Sequence, residues 1–169
     1  GAGMCGLYQL YKLLRNGADV TVLERGDDVG GTWYWNRYPG ARFDSESYTY
    51  GYSFSKELLA EWDWTEHFSP QPQNLRYANH VVDKFDLRKH VQFGCNLKRA
   101  VWDDEHHIWT LELAEGRTLT CRYLLTAIGL LCLSLAASCT ASWSAAARPP
   151  TIGSAPIDMA TLSSVCRRA

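Results

Sequence analysis

The sequence has no apolar run of membrane-spanning length, no Cys-x-x-Cys pair and almost no net charge. Its most apolar window, residues 123–137, falls short of the roughly 20 residues that a helix needs to cross a bilayer, so no membrane span is expected. Lys and Arg number 17 against 18 Asp and Glu, a net charge of −1. That balance gives nucleic acid or an anionic surface no electrostatic hold. The six cysteines are Cys5, Cys95, Cys121, Cys132, Cys139 and Cys166. Their spacing excludes a zinc ribbon or a redox dithiol, and they read as free thiols of a reducing cytoplasm. The first residues carry no basic stretch before an apolar run, so no secretory signal is expected. His106 and His107 follow Asp103, Asp104 and Glu105. Neighbours on a strand face opposite sides, so this cluster reads as a solvated turn and no metal site is expected.

What is present is ordinary globular composition, 46% hydrophobic and 21% charged. Leu7, Leu10, Tyr11 and Leu14 recur at helical spacing, and Asn16-Gly17 supplies the stop. Val20–Glu24 reads as a short buried strand ending in an acid. A second helix is expected from Pro72, with Leu75, Ala78, Val81, Val82 and Phe85 on one face. Strands are expected at Val91–Phe93, Leu97–Trp102, His107–Leu113 and Thr118–Leu125, with turns at 103–105 and 115–116. Helix, strand, a long aromatic insert, helix and a β meander together define an α/β nucleotide-binding domain interrupted by other structure.

The chemistry is concentrated in two stretches. Gly1-x-Gly3-x-x-Gly6 opens the first helix. In a dinucleotide fingerprint the first glycine makes the tight turn. The second admits backbone to a pyrophosphate, and the third lets helix and strand pack closely. The pyrophosphate then meets the positive end of the helix. Glu24 stands near the offset at which a carboxylate accepts bonds from ribose hydroxyls, which favours FAD or NAD over NADP at this site. The second stretch runs from Gly30-Gly31-Thr32-Trp33-Tyr34-Trp35 through Asn36-Arg37-Tyr38-Pro39-Gly40 to Ala41-Arg42-Phe43-Asp44. Its glycines admit backbone to a flat ligand, and Trp33, Tyr34 and Trp35 offer planes for a flavin or for core packing. Arg37 and Arg42 can pair with phosphates or carboxylates.

This second stretch resembles Baeyer–Villiger monooxygenases, as do Glu46-Ser47-x-x-Tyr50 and Tyr52-Ser53-Phe54-Ser55 further on. The resemblance covers residues 1 to about 129 and ends at Thr126-Ala127-Ile128-Gly129, where the family has Ala-Thr-Gly. It implies a Rossmann-like FAD-binding domain, an FAD cofactor, NADPH as reductant, and insertion of oxygen from O₂ into a small ketone to give an ester or lactone. It places Gly1, Gly3, Gly6, Glu24, Gly31, Thr32, Trp33, Asp44 and Tyr50 on FAD-contacting positions. Leu97 falls where backbone meets the adenine, and Arg42, Phe43 and Asp44 fall where the family also touches NADP. Asp44, implied beside both cofactors, is the catalytic candidate. Amine- or sulfide-oxidising flavin monooxygenases are the nearer rival. Disulfide oxidoreductases are a distant one, because no cysteine pair follows Gly31.

The fingerprint turn ordinarily follows a strand, so a first strand is expected to be missing before Gly1, with residues 1–129 an incomplete FAD-binding domain. No second glycine-rich motif and no Phe-x-Gly-x-x-x-His-x-x-x-Trp sequence follows residue 129. The chain as given is therefore expected to be an inactive remnant that neither holds FAD nor oxygenates. From about Leu130 the composition turns to Ala, Ser and Cys without apolar period. Residues 130–169 read as a natural low-complexity tail or a translated wrong frame. The abruptness favours the second, and either leaves them without stable packing.

Overall fold

The computed structural model describes residues 1–129 and the backbone of Ile157–Asp158. The described residues form two compact units, Gly1–Phe93 with Ala127–Gly129, and Gly94–Thr126 with the strand Ile157–Asp158.

In the first unit, helix α1 spans Met4–Arg15 and buries Gly6, Leu7, Leu10 and Tyr11, the face that the 3.6-residue spacing marks. The chain turns at Asn16 and at Gly17, whose φ is +76°. Strand β1 is only Val22–Leu23 and pairs parallel with β2, Val91–Gln92, with Val22 opposite Val91. The Glu24 N–H donates to the Gln92 carbonyl at 2.9 Å. The ladder stops there because Gly94, at φ +66°, turns the chain away. Both strands are thus shorter than the apolar runs suggest.

The aromatic insert contains three short helices: α2 (Thr32–Trp35), α3 (Ser47–Tyr50) and α4 (Lys56–Glu61). One-turn helices show no period to read, and none was legible. Among the described helices only α4 has a side-chain cap, the Ser55 hydroxyl accepting from the Leu58 N–H. Helix α5, Gln71–Lys84, begins one residue before Pro72 and packs against α2. Ala2, Leu7, Leu10, Val29, Ala78 and Val82 form the centre of the main core. A smaller cluster joins Leu58, Tyr77 and Val81. Each fully buried Leu or Val contributes about 1.5–3 kcal/mol, and this core fixes where α1 begins.

The second unit is an antiparallel meander of β3 (Leu97–Asp103), β4 (Ile108–Leu113) and β5 (Thr118–Cys121). Strand β6 (Ile157–Asp158) pairs on the other edge of β3. The turn after β3 is closed by Asp103, whose carboxylate accepts the N–H groups of Glu105 and His106 and meets the His106 ring at 2.8 Å. These bonds hold the Asp103 carboxyl below its ordinary pKa. His107 has φ +53° and belongs to that turn, not to the expected strand. Strand β5 ends four residues early. Cys121 already faces Trp109 near the start of β4, and nothing remains for Tyr123 and Leu125, both exposed, to pair with. The expectation for 130–169 lies outside the described residues, apart from the two residues of β6.

Candidate functional site

The glycine turn leading into α1 is fastened on three sides. Ala2 is fully buried; its N–H donates to Glu24 Oε2 at 2.6 Å and its carbonyl accepts the Gly30 N–H at 2.9 Å. The Gly3 carbonyl accepts the Leu7 N–H at 2.9 Å. Ala2 and Gly3 are thus fastened through Glu24, Gly30 and Leu7.

The turn also admits backbone where a side chain would not fit. A Cβ on Gly6 would lie 1.9 Å from the Gly1 carbonyl oxygen, and one on Gly31 2.7 Å from the Gly3 Cα. Gly31, at φ +54°, and Gly3 thus bring the two motifs into backbone contact. Ala127 borders the same turn: a Cβ on Gly1 would meet its carbonyl oxygen at 2.7 Å. The N-cap of α1 is Gly3, without a side-chain cap, and the first turn holds no acid. Its leading N–H groups and positive end face a cradle that suits an anion.

Glu24 is buried, 5% exposed. Its Oε2 takes the Ala2 N–H and its Oε1 takes the Gly26 N–H at 2.8 Å. A carboxylate has about four acceptor positions, so two remain for other donors. These features fit a dinucleotide: a pyrophosphate at the helix end, and a carboxylate of fixed orientation for ribose hydroxyls. FAD would be held by these groups.

Thr32 and Trp33 continue from Gly31. Trp33 is buried; its indole N–H donates to the Tyr50 hydroxyl at 2.6 Å and its carbonyl accepts from the Gln71 amide. Its ring meets Phe43 and Tyr50 edge-on at 6.2 and 6.0 Å, and Phe43 and Tyr50 lie 3.9 Å apart. Burial pushes the Tyr50 phenol above its ordinary pKa. Trp33 therefore joins the glycine turn to Phe43 and Tyr50. Arg42 uses one of its guanidinium nitrogens, Nη1, in the structure. It pairs with Glu66 at 2.7 Å and donates to the Phe68 carbonyl at 2.8 Å, both on the exposed side. Asp44 is exposed, and its side chain pairs with no other described residue. Leu97 opens β3 in the second unit, where it stands opposite Leu113.

Tyr34 and Trp35 pack against each other and against two arginines. They meet edge-to-face at 4.9 Å, with Arg37 over the first ring at 4.8 Å and Arg25 over the second at 4.6 Å. Gln71, Gly26 and Ala2 went unnoticed in the sequence. Gly26 had a signal, a glycine two residues beyond the strand-ending acid. Gln71, polar before Pro72 yet buried, and Ala2, acting through backbone alone, had none. An open groove of ≈ 550 Å³ near Ser47, Trp62, Trp64 and His67 includes none of the glycine-turn residues. Among the described residues no helix is long and apolar enough to cross a membrane.

Fold and turn together define a dinucleotide-binding protein of Rossmann-like type, and the family model described as "NAD(P)-binding Rossmann-like domain" matches residues 1–61. The chain is 45% identical over 134 residues to the 2-oxo-Delta(3)-4,5,5-trimethylcyclopentenylacetyl-CoA monooxygenase of Pseudomonas putida, covering 79% of this chain and 25% of that protein. It is 46% identical over 132 residues to a phenazine N-monooxygenase of Lysobacter antibioticus, covering 78% and 24%. A solved steroid monooxygenase bound to NADP superposes with a TM-score of 0.75 at 45% identity, over 77% of this chain and 25% of that one. Over these residues the chain is a homologue of the Baeyer–Villiger and flavin monooxygenases. It spans about a quarter of the length of the curated relatives it matches.

Proposed function

We propose that residues 1–129 serve as the FAD-binding part of an NADPH-using monooxygenase that inserts oxygen from O₂ into a small ketone to give an ester or lactone. The observation that carries this reading is the buried Glu24 carboxylate, held by two backbone N–H groups beside the glycine turn. Similarity to ketone-oxidising relatives such as cyclohexanone 1,2-monooxygenase supports it.

When bound, FAD supplies the oxygen chemistry, and the protein's task is to bind, orient and keep water out. In this reading Gly1, Gly3 and Gly6 and the start of α1 neutralise the pyrophosphate, and Glu24 accepts from the ribose hydroxyls. Gly31 and Thr32 run along the cofactor, while Trp33 and Tyr50 shield it from solvent. Arg42 and Phe43 serve NADP, and Asp44 serves both cofactors as the catalytic residue. Backbone at Leu97 meets the adenine. A reducing cytoplasm is the proposed compartment, in keeping with Cys5 and Cys121, which form no disulfide among the described residues.

A second reading, oxygenation at nitrogen, draws on the similarity to the phenazine N-monooxygenase. Supplying the complete enzyme and NADPH with a cyclic ketone or an aromatic N-heterocycle separates the two by product. The cofactor claim is tested on the complete enzyme, freed of its flavin, by titrating FAD against FMN and following flavin fluorescence. Because the site described grips the ADP half, FAD should bind at least about tenfold more tightly than FMN, the worth of one charge-assisted hydrogen bond. Equal affinities, or no FAD binding, would reject the proposal.

A further inference from the structure

Tyr34 and Trp35, packed edge-to-face with each other, have a task of their own, which rests on the FAD reading above. Gly26 lies two residues after Glu24, and its N–H holds Glu24 Oε1 at 2.8 Å. Ala2 holds the other oxygen. Two donors on different oxygens fix the plane of the carboxylate; with one donor it can pivot. Its unused acceptor positions are useful to a ribose diol only in a fixed plane, since both hydroxyls must be met at once.

Gly26 in turn is pressed by rings. A Cβ there would lie 2.8 Å from Tyr34 Cε1 and 3.2 Å from both Tyr34 Cδ1 and Trp35 Cζ2. The rings cannot easily give way. Tyr34 stands edge-to-face against Trp35, its hydroxyl accepts the Asp27 N–H at 3.3 Å, and Arg37 covers its face while donating to its carbonyl. Arg25 covers Trp35. With the rings held, any added bulk must displace the turn, and with it the N–H on Glu24.

We infer that Gly26 and Tyr34 are positioning residues for the ribose-binding carboxylate. The Tyr34 ring holds the 24–27 turn so that the Gly26 N–H keeps Glu24 in the plane that the adenosine ribose requires. The aromatic run of the second motif thus acts on the nucleotide end of the cofactor through Gly26, while Trp33 faces Phe43 and Tyr50.

The test measures, on the complete enzyme freed of its flavin, affinities for FAD and for its analogue carrying 2′-deoxyribose on the adenosine side, both by flavin fluorescence. The parent should prefer FAD by about tenfold, the worth of one charge-assisted bond. Gly26→Ala and Tyr34→Ala should each reduce that ratio to below about threefold, the residual expected of a weakened bond, while the analogue is held nearly as well as before. Tyr34→Phe keeps the ring and should retain most of the preference. Far-UV circular dichroism checks folding; if Gly26→Ala is unfolded, the Tyr34→Ala and Tyr34→Phe pair carries the comparison. Equal weakening toward both ligands, with the ratio unchanged, marks a merely structural role and overturns the inference. A parent that binds FAD without preferring the 2′-hydroxyl removes Glu24's task and overturns it too. A parent that binds neither ligand refutes the proposed function itself.

Discussion

Glu24 and Asp44 are both carboxylates singled out by motif, yet they stand in opposite surroundings. Around Glu24 the backbone of three segments converges: Ala2 and Gly26 donate to the carboxylate, and Gly30 bonds back to Ala2. Behind them lies a core of Leu7, Leu10 and Val29, each no more than 1% exposed. Around Asp44 the chain is fastened at its flanks, by the Phe43 N–H on the Ser69 carbonyl and by the Ser47 hydroxyl on the Glu66 and His67 carbonyls. The Asp44 side chain itself is left in solvent. One region is a carboxylate of fixed orientation whose geometry is built into the fold. The other is a surface held in place without a fixed side-chain geometry of its own.

If the first region depends on its core, the largest effect should come from emptying that core. Leu7→Ala removes a fully buried side chain beneath the glycine turn and should destabilise the unit by about 2–5 kcal/mol in urea unfolding. Leu59→Ala, at a side chain 48% exposed near the second region, should cost less than about 1 kcal/mol. Similar losses at the two sites would erase the contrast.

Within the first region, Glu24→Ala sharpens the comparison to one group. It strips a charge-assisted acceptor from any ribose, worth about 1.5–3 kcal/mol of binding. It also leaves the Ala2 and Gly26 N–H groups without their acceptor. FAD affinity measured by fluorescence titration should fall about 10- to 100-fold, in line with that energy. Unchanged affinity would mean that Glu24 serves only the turn.

The two regions also differ in how legible they were. Glu24 and the three fingerprint glycines were found because a βα turn imposes spacing: strand end, helix start and acid stand at offsets set by geometry. Helices α1 and α5 were found by period, and the meander by its turns. What escaped depends on long-range contact. The crowding of Gly26 arises because Tyr34 and Trp35 fold back over it, and Gln71 is drawn in because its amide reaches the Trp33 carbonyl. The strand ends were missed for a related reason. A ladder stops where its partner stops, as β5 does at the start of β4. Arg42 was read as able to pair with phosphates or carboxylates, and sequence could not show that the carboxylate it meets is Glu66.

The smallest expected effect falls on Asp44 and tests the contrast from its other side. Asp44→Ala breaks no hydrogen bond or ion pair among the described residues, because the side chain makes none. Exposed substitutions of this kind change stability by about 0.5 kcal/mol or less. FAD affinity should fall less than in Glu24→Ala, since no bond from Asp44 fastens the glycine turn or Glu24. A carboxylate that serves both cofactors should instead matter for what is done with NADPH. In the complete enzyme, Asp44→Ala should therefore consume NADPH while forming less ester per NADPH. Asp44→Asn should behave the same way, because it keeps the shape and removes the charge that a neighbouring cation would need. The comparison then rests on two numbers measured for each variant, FAD affinity and ester formed per NADPH. Glu24→Ala should lower the first, and Asp44→Ala the second. Loss of FAD from Asp44→Ala as severe as from Glu24→Ala would show that the exposed region is as much a part of the FAD cradle as the buried one. Full coupling in Asp44→Ala would remove it from the chemistry altogether.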